Sequence, residues 1–311
     1  MLNPTQVDFT CQGCGEAFSS ADALHYHIKS HKLNQEKYYL KYYPRKDLFT
    51  QQPLHFKSRE SYFANDFINR TNLKKWLESR REINTELVTD YCKDWLLNRK
   101  QLKSLIYAPS CVELKTLIAP PTEFYDELFG DYYSLCAELG FKNKYKKLDK
   151  RIEDIKCDFE IIVDSREQRA ISFAKSRVEG LKYGDYGRSE EDKVRIERKS
   201  LSDFLGTIGA GLDRFEREIQ RAQVANCHLI ILVEEKFSNY FSFPYLPHIR
   251  SKCTVDYISH NIRYLIQKYP NIQFLFADGR KEVARLIEKI LFYQDKIINI
   301  DLQENYEKGL L

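Results

Sequence analysis

The chain has 311 residues, 43% of them hydrophobic and 30% charged, with a formal net charge of +4. That length has room for about two domains, and no run of about twenty apolar residues is present to span a membrane. The charge is uneven, −2 over residues 1–31, +6 over 32–156 and 0 over 157–311. An excess of that size in the middle would steer an anionic partner there, and it equally fits an ordinary solvated surface. The start, MLNPTQVDFTC, lacks the basic-then-apolar pattern of a secretion signal. Of eight cysteines, two have metal spacing and six (Cys92, Cys111, Cys136, Cys157, Cys227, Cys253) are scattered. That usage predicts free thiols in a reducing intracellular compartment, cytoplasm or nucleus, of a cell or a virus-infected host.

The first segment, residues 7–33, contains FTCQGCGEAFSSADALHYHIKSH. Cys11 and Cys14 are two residues apart, His27 follows after twelve more, and His31 after another three. Two thiolates on a turn and two imidazoles one helical turn apart complete a tetrahedral zinc site. Phe9, Phe18 and Leu24 supply a minimal core. The segment resembles the two-cysteine two-histidine zinc finger family, which implies a ββα module with structural zinc. That resemblance puts Ser20, Asp22, Ala23 and Tyr26 at the base-reading positions. None is an arginine that forks onto guanine, and Asp22 repels phosphate. A protein-docking role, or loose sensing of DNA shape, is the expectation for the finger.

Residues 34–150 read as a mainly helical, Tyr-rich basic module and linker. Its start, KLNQEKYYLKYYPRKDLFTQQPLHFKSRESYFANDF, interleaves rings with Lys and Arg. Such text makes either a stacking track for single-stranded nucleic acid or a linker whose tyrosines pack on neighbouring helices. Apolar spacing predicts a helix over 84–106 capped by Asn84 or Thr85, carrying Leu87, Tyr91, Trp95 and Leu102. A shorter helix is expected near 110–118, and another from a Thr122 cap to Gly140. The run KNKYKKLDKR, 142–151, is then a solvated linker or a contact to phosphates.

From about 157 the pattern becomes alternating strand and helix, a layered α/β domain expected over 155–305. Phe159–Val163 is a strand ending in Asp164-Ser165-Arg166-Glu167, and helical text follows to about 178. Strands around Asp185 and Glu197 flank a charged turn. Asp203 is placed as the cap of one long helix to about 223, with Phe204, Leu205, Ile208, Leu212, Phe215 and Ile219 on one face. Gly206, Gly209 and Gly211 loosen its start. His228–Val233 is a buried strand, with a helix at 255–268, a strand at 272–276 and a helix at 280–293 after it. Val194 to Lys199 alternates, so Glu197 and Lys199 share a face and Arg198 points the other way. With Asp185 alongside, two carboxylates and an ammonium converge, a latent site for a divalent cation.

VDSREQ, LKYGDY and IERKSLSDF, in that order, resemble the XPF-type structure-specific endonuclease domain, whose pattern is G-D, a gap, then E-R-K-x-x-x-D. The resemblance spans about 157–300. It implies the restriction-endonuclease-like fold with a PD-(D/E)xK type site using magnesium or manganese. By motif position, Asp185 and Glu197 would be metal ligands and Lys199 would position or activate water. Asp164 and Glu167 would complete the acidic pocket, and Arg166, Arg198 and Asp203 would support it. LDRFEREIQRA is similar to the family's arginine-bearing helix, with Arg214 at the arginine and the register uncertain by the segment's length. The text after the nuclease segment leaves no room for the tandem helix-hairpin-helix domain of many relatives, and no phosphate-binding helicase motif occurs.

The expected partners are DNA, a second nuclease-type domain in a homodimer or heterodimer, and a protein for the finger, with no membrane. Tyr257, Ile258, Ile262, Leu265, Leu286, Ile290 and Leu291 are either such a dimer face or core. The leading expectation is a metal-dependent endonuclease for branched or flapped DNA in repair or recombination. A catalytically silent DNA-binding scaffold, or a nuclease of plain duplex or RNA, are the rivals. An intact Asp185, Glu197 and Lys199 set favours catalysis.

Overall fold

The computed structural model describes residues 9–56, 61–62, 65–189, 191–246 and 253–311. Backbone contacts divide the chain into two compact units. One holds residues 1–104 and 117–120, the other residues 105–116 and 121–311.

The first unit opens on an antiparallel pair, β1 (Phe9–Thr10) and β2 (Ala17–Phe18), with Phe9 opposite Phe18. Ser20 caps the helix Ala21–His27, accepting from Ala23 N, and a 3-10 turn, Ile28–His31, carries the last histidine. The next helix, Gln35–Tyr42, starts at an Asn34 cap. Tyr38, Tyr39, Phe56 and Tyr62 are buried with Leu24 and Ile28 in one core. The rings of Tyr38, Tyr39, Phe56 and Tyr62 are thus taken up by packing, while Tyr43 and Phe49 of the same stretch are exposed. The basic stretch at 57–60 lies outside the described residues. Asp47 organises the following loop by accepting from the backbone N–H groups of Phe49, Thr50 and Ile68. Two helices complete the unit, Arg70–Ile83 and Thr85–Lys103, each capped by an asparagine, Asn69 and Asn84. The first of these, and Gln35–Tyr42, were not expected from spacing, because charged residues dilute their apolar faces. In Thr85–Lys103 the buried set is Val88, Cys92, Trp95, Leu96 and Arg99, whereas Leu87 is exposed.

The second unit is built on a six-stranded mixed sheet, in the order β4-β3-β5-β6-β7-β8. The strands are β3 (Ile161–Asp164), β4 (Ser176–Glu179), β5 (Tyr186–Gly187), β6 (Val194–Lys199), β7 (His228–Val233) and β8 (Ile272–Phe276). β5 pairs antiparallel with β3 and β6, and the other neighbours are parallel. Alternation then fixes two cores. Leu229, Ile231, Val233 and Phe274 face the helices Leu201–Ile208, Leu212–Val224 and Val255–Lys268. Val194, Ile196, Ile230 and Leu232 face the helix Gly279–Tyr293 and the chain's last apolar residues.

Three expectations are corrected here. The segment 169–175 is not helical and leads into strand β4, parallel to β3. The helix after β6 is two helices, and Ser200, not Asp203, caps the first by accepting from Asp203 N. That first helix ends at Gly209, whose ψ of −104° is not helical and where a Cβ would meet Leu205 O at 2.7 Å. Thr122 lies inside a helix, Thr122–Phe129, that has no side-chain cap, and a second helix, Tyr132–Glu138, starts at an Asp131 cap. Gly140, at φ 78°, follows the last turn as expected.

A helix at Cys111–Lys115, capped reciprocally by Ser110 and Glu113, packs Val112 into the first of the two sheet cores. The helix Leu302–Glu307 presents buried Asp301, whose carboxylate accepts from Cys111 N at 2.7 Å and from the Tyr133 hydroxyl at 3.1 Å. A short helix, Phe237–Tyr240, completes the unit. Ile258, Ile262, Leu265, Leu286, Ile290 and Leu291 are fully buried in the unit's cores, while Tyr257 is half exposed. No helix among the described residues is long and apolar enough to cross a membrane.

Candidate active site and candidate metal centre

The β5–β6 hairpin sets the geometry of the carboxylates. Gly184 has φ 72°, and a Cβ on it would lie 3.1 Å from both Arg195 Cβ and Ile196 O. Glycine therefore lets the chain enter β5 tightly against β6. Asp185 N donates to Ile196 O at 2.7 Å, and Asp164 N donates to Asp185 O at 2.8 Å. The carboxyl-bearing ends of β3, β5 and β6 are thus side by side. Tyr186 and Ile196 point into one core, so Asp185 and Glu197, one residue along, point to the opposite face.

On that face Lys199 Nζ lies 2.5 Å from Glu197 Oε1. Asp185 accepts a backbone N–H from Arg198 at 2.7 Å. Burial, then the nearby Glu197 charge, pushes the Asp185 carboxyl up to about 8. Glu197 is pushed up to about 6 by burial, which outweighs Lys199, with the Glu218 charge adding to the rise. Lys199 is itself raised, because the charge of Glu197 overcomes its own burial. The two partners move in the same direction because there is more negative charge in the pocket than one lysine neutralises. Such a pair resists ionising until a cation arrives.

The remaining expected residues are placed differently. Asp164 is buried on the same strand end, yet its oxygens are taken by Arg166 Nε at 2.8 Å, Arg166 Nη2 at 3.1 Å and Leu181 N at 2.6 Å. These bonds hold its carboxyl below the ordinary range against the effect of burial. The Arg166 side chain is 71% exposed. Glu167 is bound to Arg198 Nη2 at 2.9 Å, and Arg198 Nη1 holds Glu234 at 2.5 Å. Arg198 thus clamps two acids, and the Glu167 charge still acts on both Asp185 and Glu197. Asp203 accepts from the Ser200 hydroxyl at 2.7 Å and is exposed. Arg214 is exposed on Leu212–Val224.

One site residue was not singled out from sequence. Glu218, on the helix Leu212–Val224, brings Oε1 to 3.4 Å from Gly184 N and its charge acts on Glu197, Lys199 and Arg166. The available signal was its position: three residues past buried Phe215 and one before buried Ile219, at the flank of the apolar stripe. Asp185 and Glu197 offer hard oxygen donors, a chemistry that suits magnesium or manganese, and Glu218 is near enough for its charge to act on Glu197. Among the described residues, however, only the set Cys11, Cys14, His27 and His31 draws three or more ligand atoms within 4.8 Å of one another.

In the first unit, Cys11, Cys14, His27 and His31 gather with their ligand atoms all within 4.8 Å of one another. Cys14 Sγ is 3.2 Å from His27 Nε2, Cys11 Sγ 3.5 Å from His31 Nε2, and the two imidazole nitrogens are 3.0 Å apart. Bonds of about 2.0 to 2.3 Å to a tetrahedral zinc put ligand atoms about 3.3 to 3.8 Å apart, and the three separations here lie within that range or a few tenths of an ångström below it. Burial would raise the Cys11 thiol, but N–H groups of Gly13 and Cys14 and the Tyr38 hydroxyl bring it below its ordinary value. Tyr38 also accepts from Gln12 N at 2.7 Å.

A mixed α/β sheet thus carries a desolvated carboxylate pair and a lysine at the ends of adjacent strands, with a third carboxylate brought in from a helix. Residues 158–290 match the family model of the ERCC4 domain, the XPF nuclease domain, which has the restriction-endonuclease-like fold. The match covers the segment in which the three motifs were read. Among solved structures, XPF from Aeropyrum pernix is similar at 22% identity and TM-score 0.33, covering 42% of this chain and 63% of that one. The same protein in complex with DNA gives 23%, 0.34, 43% and 63%. The chain thus spans under two thirds of the length of these structures. No curated protein matches it.

Proposed function

We propose that this protein is a divalent-metal-dependent endodeoxyribonuclease acting on branched, flapped or otherwise structured DNA, in repair or recombination. The observation that carries the reading is the convergence of Asp185, Glu197 and Lys199 on one face of the β5–β6 hairpin. The ERCC4 match over 158–290 supports the substrate class. A magnesium or manganese ion held there neutralises charge on the phosphoryl oxygens and makes bound water a better nucleophile. Asp185 and Glu197 supply the oxygens that hold and orient it. Lys199, fixed by Glu197, is placed to orient the attacking water and to steady negative charge as it develops. Glu218 closes the pocket from the helix side. Asp164 and Arg166 hold the loop that shapes it, and Arg198 fixes Glu167 and Glu234, with the Glu167 charge acting on both carboxylates. Cys11, Cys14, His27 and His31 hold structural zinc.

The test is cleavage of fork, flap, duplex and single-stranded substrates with magnesium, wild type against Asp185→Asn. Cutting of forks or flaps that the variant loses is the expected result. Absence of cutting by wild type under varied metals, with binding intact, would favour the silent scaffold. Equal cutting of plain duplex would remove the shape selectivity, and preference for RNA would redirect the substrate.

A further inference from the structure

A short loop in the first unit is held more firmly than a connector needs. Lys46 and Pro53 join its arms in an antiparallel bridge, Asp47 N donates to Gln52 O at 2.8 Å, and Gln51 N donates to Asp47 O at 2.8 Å. Gln51 sits at φ 59°, in the left-handed region that closes such a turn. The Asp47 side chain lies beneath, fully buried. Its Oδ1 accepts from Phe49 N at 2.9 Å and Thr50 N at 2.6 Å. Its Oδ2 accepts from Ile68 N at 2.7 Å and Asn72 Nδ2 at 3.4 Å. Leu48 N is held as well, by Asp66 O at 3.1 Å. Burying a carboxylate is costly unless donors surround it, and here every donor comes from the loop or the segment beside it.

What this scaffold displays is apolar. Leu48, Phe49 and Ile68 are each at least 40% exposed, on backbone that Asp47 or Asp66 holds in place. The surroundings are basic. Lys46 precedes the tip and is exposed, and residues 32–104 carry 16 Lys or Arg against 9 Asp or Glu. An apolar tip in positive surroundings selects its partner. Three side chains cover a few hundred Å² at most, against about 800 Å² per side in a stable protein interface. A nucleobase has a flat apolar face of matching size, and its flanking phosphates attract lysine and arginine. In continuous duplex those faces are stacked and closed off, whereas a branch point or a single-stranded flap opens them. Apolar side chains wedge into such steps, and a loop already fixed loses little freedom on insertion.

We propose that the 47–52 loop is a wedge that presents Leu48 and Phe49 to the open base faces of branched or flapped DNA, with Asp47 as the positioning residue that sets the tip. The assignment rests on the reading of the protein as a nuclease of structured DNA. It gives shape selectivity a source in the first unit, apart from the unit that carries the carboxylates. Stacking of this kind is indifferent to base identity and releases no counterions, so it should add affinity without adding salt dependence.

The test uses the full chain with Asp185→Asn as the parent, so that no cutting intervenes. Anisotropy of a fluorescent fork DNA gives the affinity across a salt series, and relaxed circular duplex serves as the competitor. Adding Phe49→Ala should lower fork affinity about 10-fold, leave the salt slope and the competitor's inhibition constant unchanged, and leave the melting temperature unchanged. Phe49→Trp in its place should keep the affinity. Trp76 and Trp95 are buried, so the emission that Phe49→Trp adds over the parent should be quenched by the fork. An unaltered fork affinity in Phe49→Ala overturns the wedge, as does an equal loss on circular duplex. Added emission that fork DNA leaves unchanged also overturns it, and a blue shift on phosphatidylserine vesicles would then assign the tip to a lipid surface. Cleavage by wild type is read separately. Fork cutting with binding that ignores Phe49 sinks the wedge alone, and Phe49-dependent binding without cutting sinks the nuclease reading alone.

Discussion

Asp185 and Glu197 are one residue out of step with the core-facing positions of β5 and β6, and that offset puts two carboxyls together on a half-desolvated face. Keeping them there without a cation is unfavourable, as at many functional sites. Asp185→Asn should therefore lower the cleavage rate by about 10² or more, yet raise the melting temperature of the metal-free protein by about 2 °C or more. Calorimetry in chelator reads the second effect, and a fall in melting temperature would argue that the site is structural. Glu218→Gln keeps the shape of the pocket and removes one charge. It should shift the magnesium dependence of cleavage to higher concentration, and an unchanged metal titration would remove Glu218 from the site. At the other centre, Tyr38→Phe deletes the hydroxyl that serves both Cys11 and Gln12 N. Zinc affinity should fall by about 10-fold, measured by chelator competition; an equal affinity would make Tyr38 a packing residue only.

Elements differ in how well their sequence declared them. β6, β7 and β8 were legible because apolar runs or strict alternation leave few options. The hairpin was legible through Gly184 and the carboxylates that follow it. β4, SRVE, carries no apolar pattern of its own and is exposed along most of its length; only pairing with β3 makes it a strand. Leu201–Ile208 and Leu212–Val224 keep one apolar face across Gly209, so the sequence reads as one helix. The break comes at Gly209, whose backbone turns to ψ −104° where a Cβ would meet Leu205 O, and spacing does not encode that turn. The helix Leu302–Glu307 buries Asp301 and Glu304 beside Tyr133. Burial, then the Asp301 charge, pushes Glu304 up to about 7. A carboxyl raised on folding stabilises the fold fully below its unfolded value, near 4.5, and loses that contribution as pH rises through about 7. Glu304→Gln should remove this part of the pH dependence. The difference in melting temperature, variant minus wild type, should grow between pH 4.5 and 7, and a flat difference would refute the assignment.

At the scale of the molecule, the second unit reaches back to residue 105. Val112 lies in a sheet core, Cys111 N is bound to Asp301, and Tyr133 sits on Asp301 and Glu304. A fragment 105–311 should fold with a cooperative thermal transition, whereas 157–311 should not, because it exposes Val112's cavity and strips the buried Asp301 of its donors Cys111 N and Tyr133. Equal transitions for the two fragments would show that residues 105–145 are dispensable to the sheet. The segment around Cys11, Cys14, His27 and His31 buries only a small, largely aromatic core, so its order should depend on zinc in a way that the second unit's does not.

The sequence by itself determined the chemistry: a Cys-Cys-His-His spacing, and carboxylates and a lysine whose alternation on a strand puts them on one face. Both signals are local, because turn, helix and strand periods fix them within a few residues. The tertiary structure alone decided which acids are available. It bound Asp164 to Arg166 and Glu167 to Arg198, and it brought Glu218 in from a helix 21 residues beyond Glu197. It also spent Tyr38, Tyr39 and Tyr62 on a core. Such outcomes depend on which surfaces meet, and contacts between distant segments leave no period for a sequence reading to find.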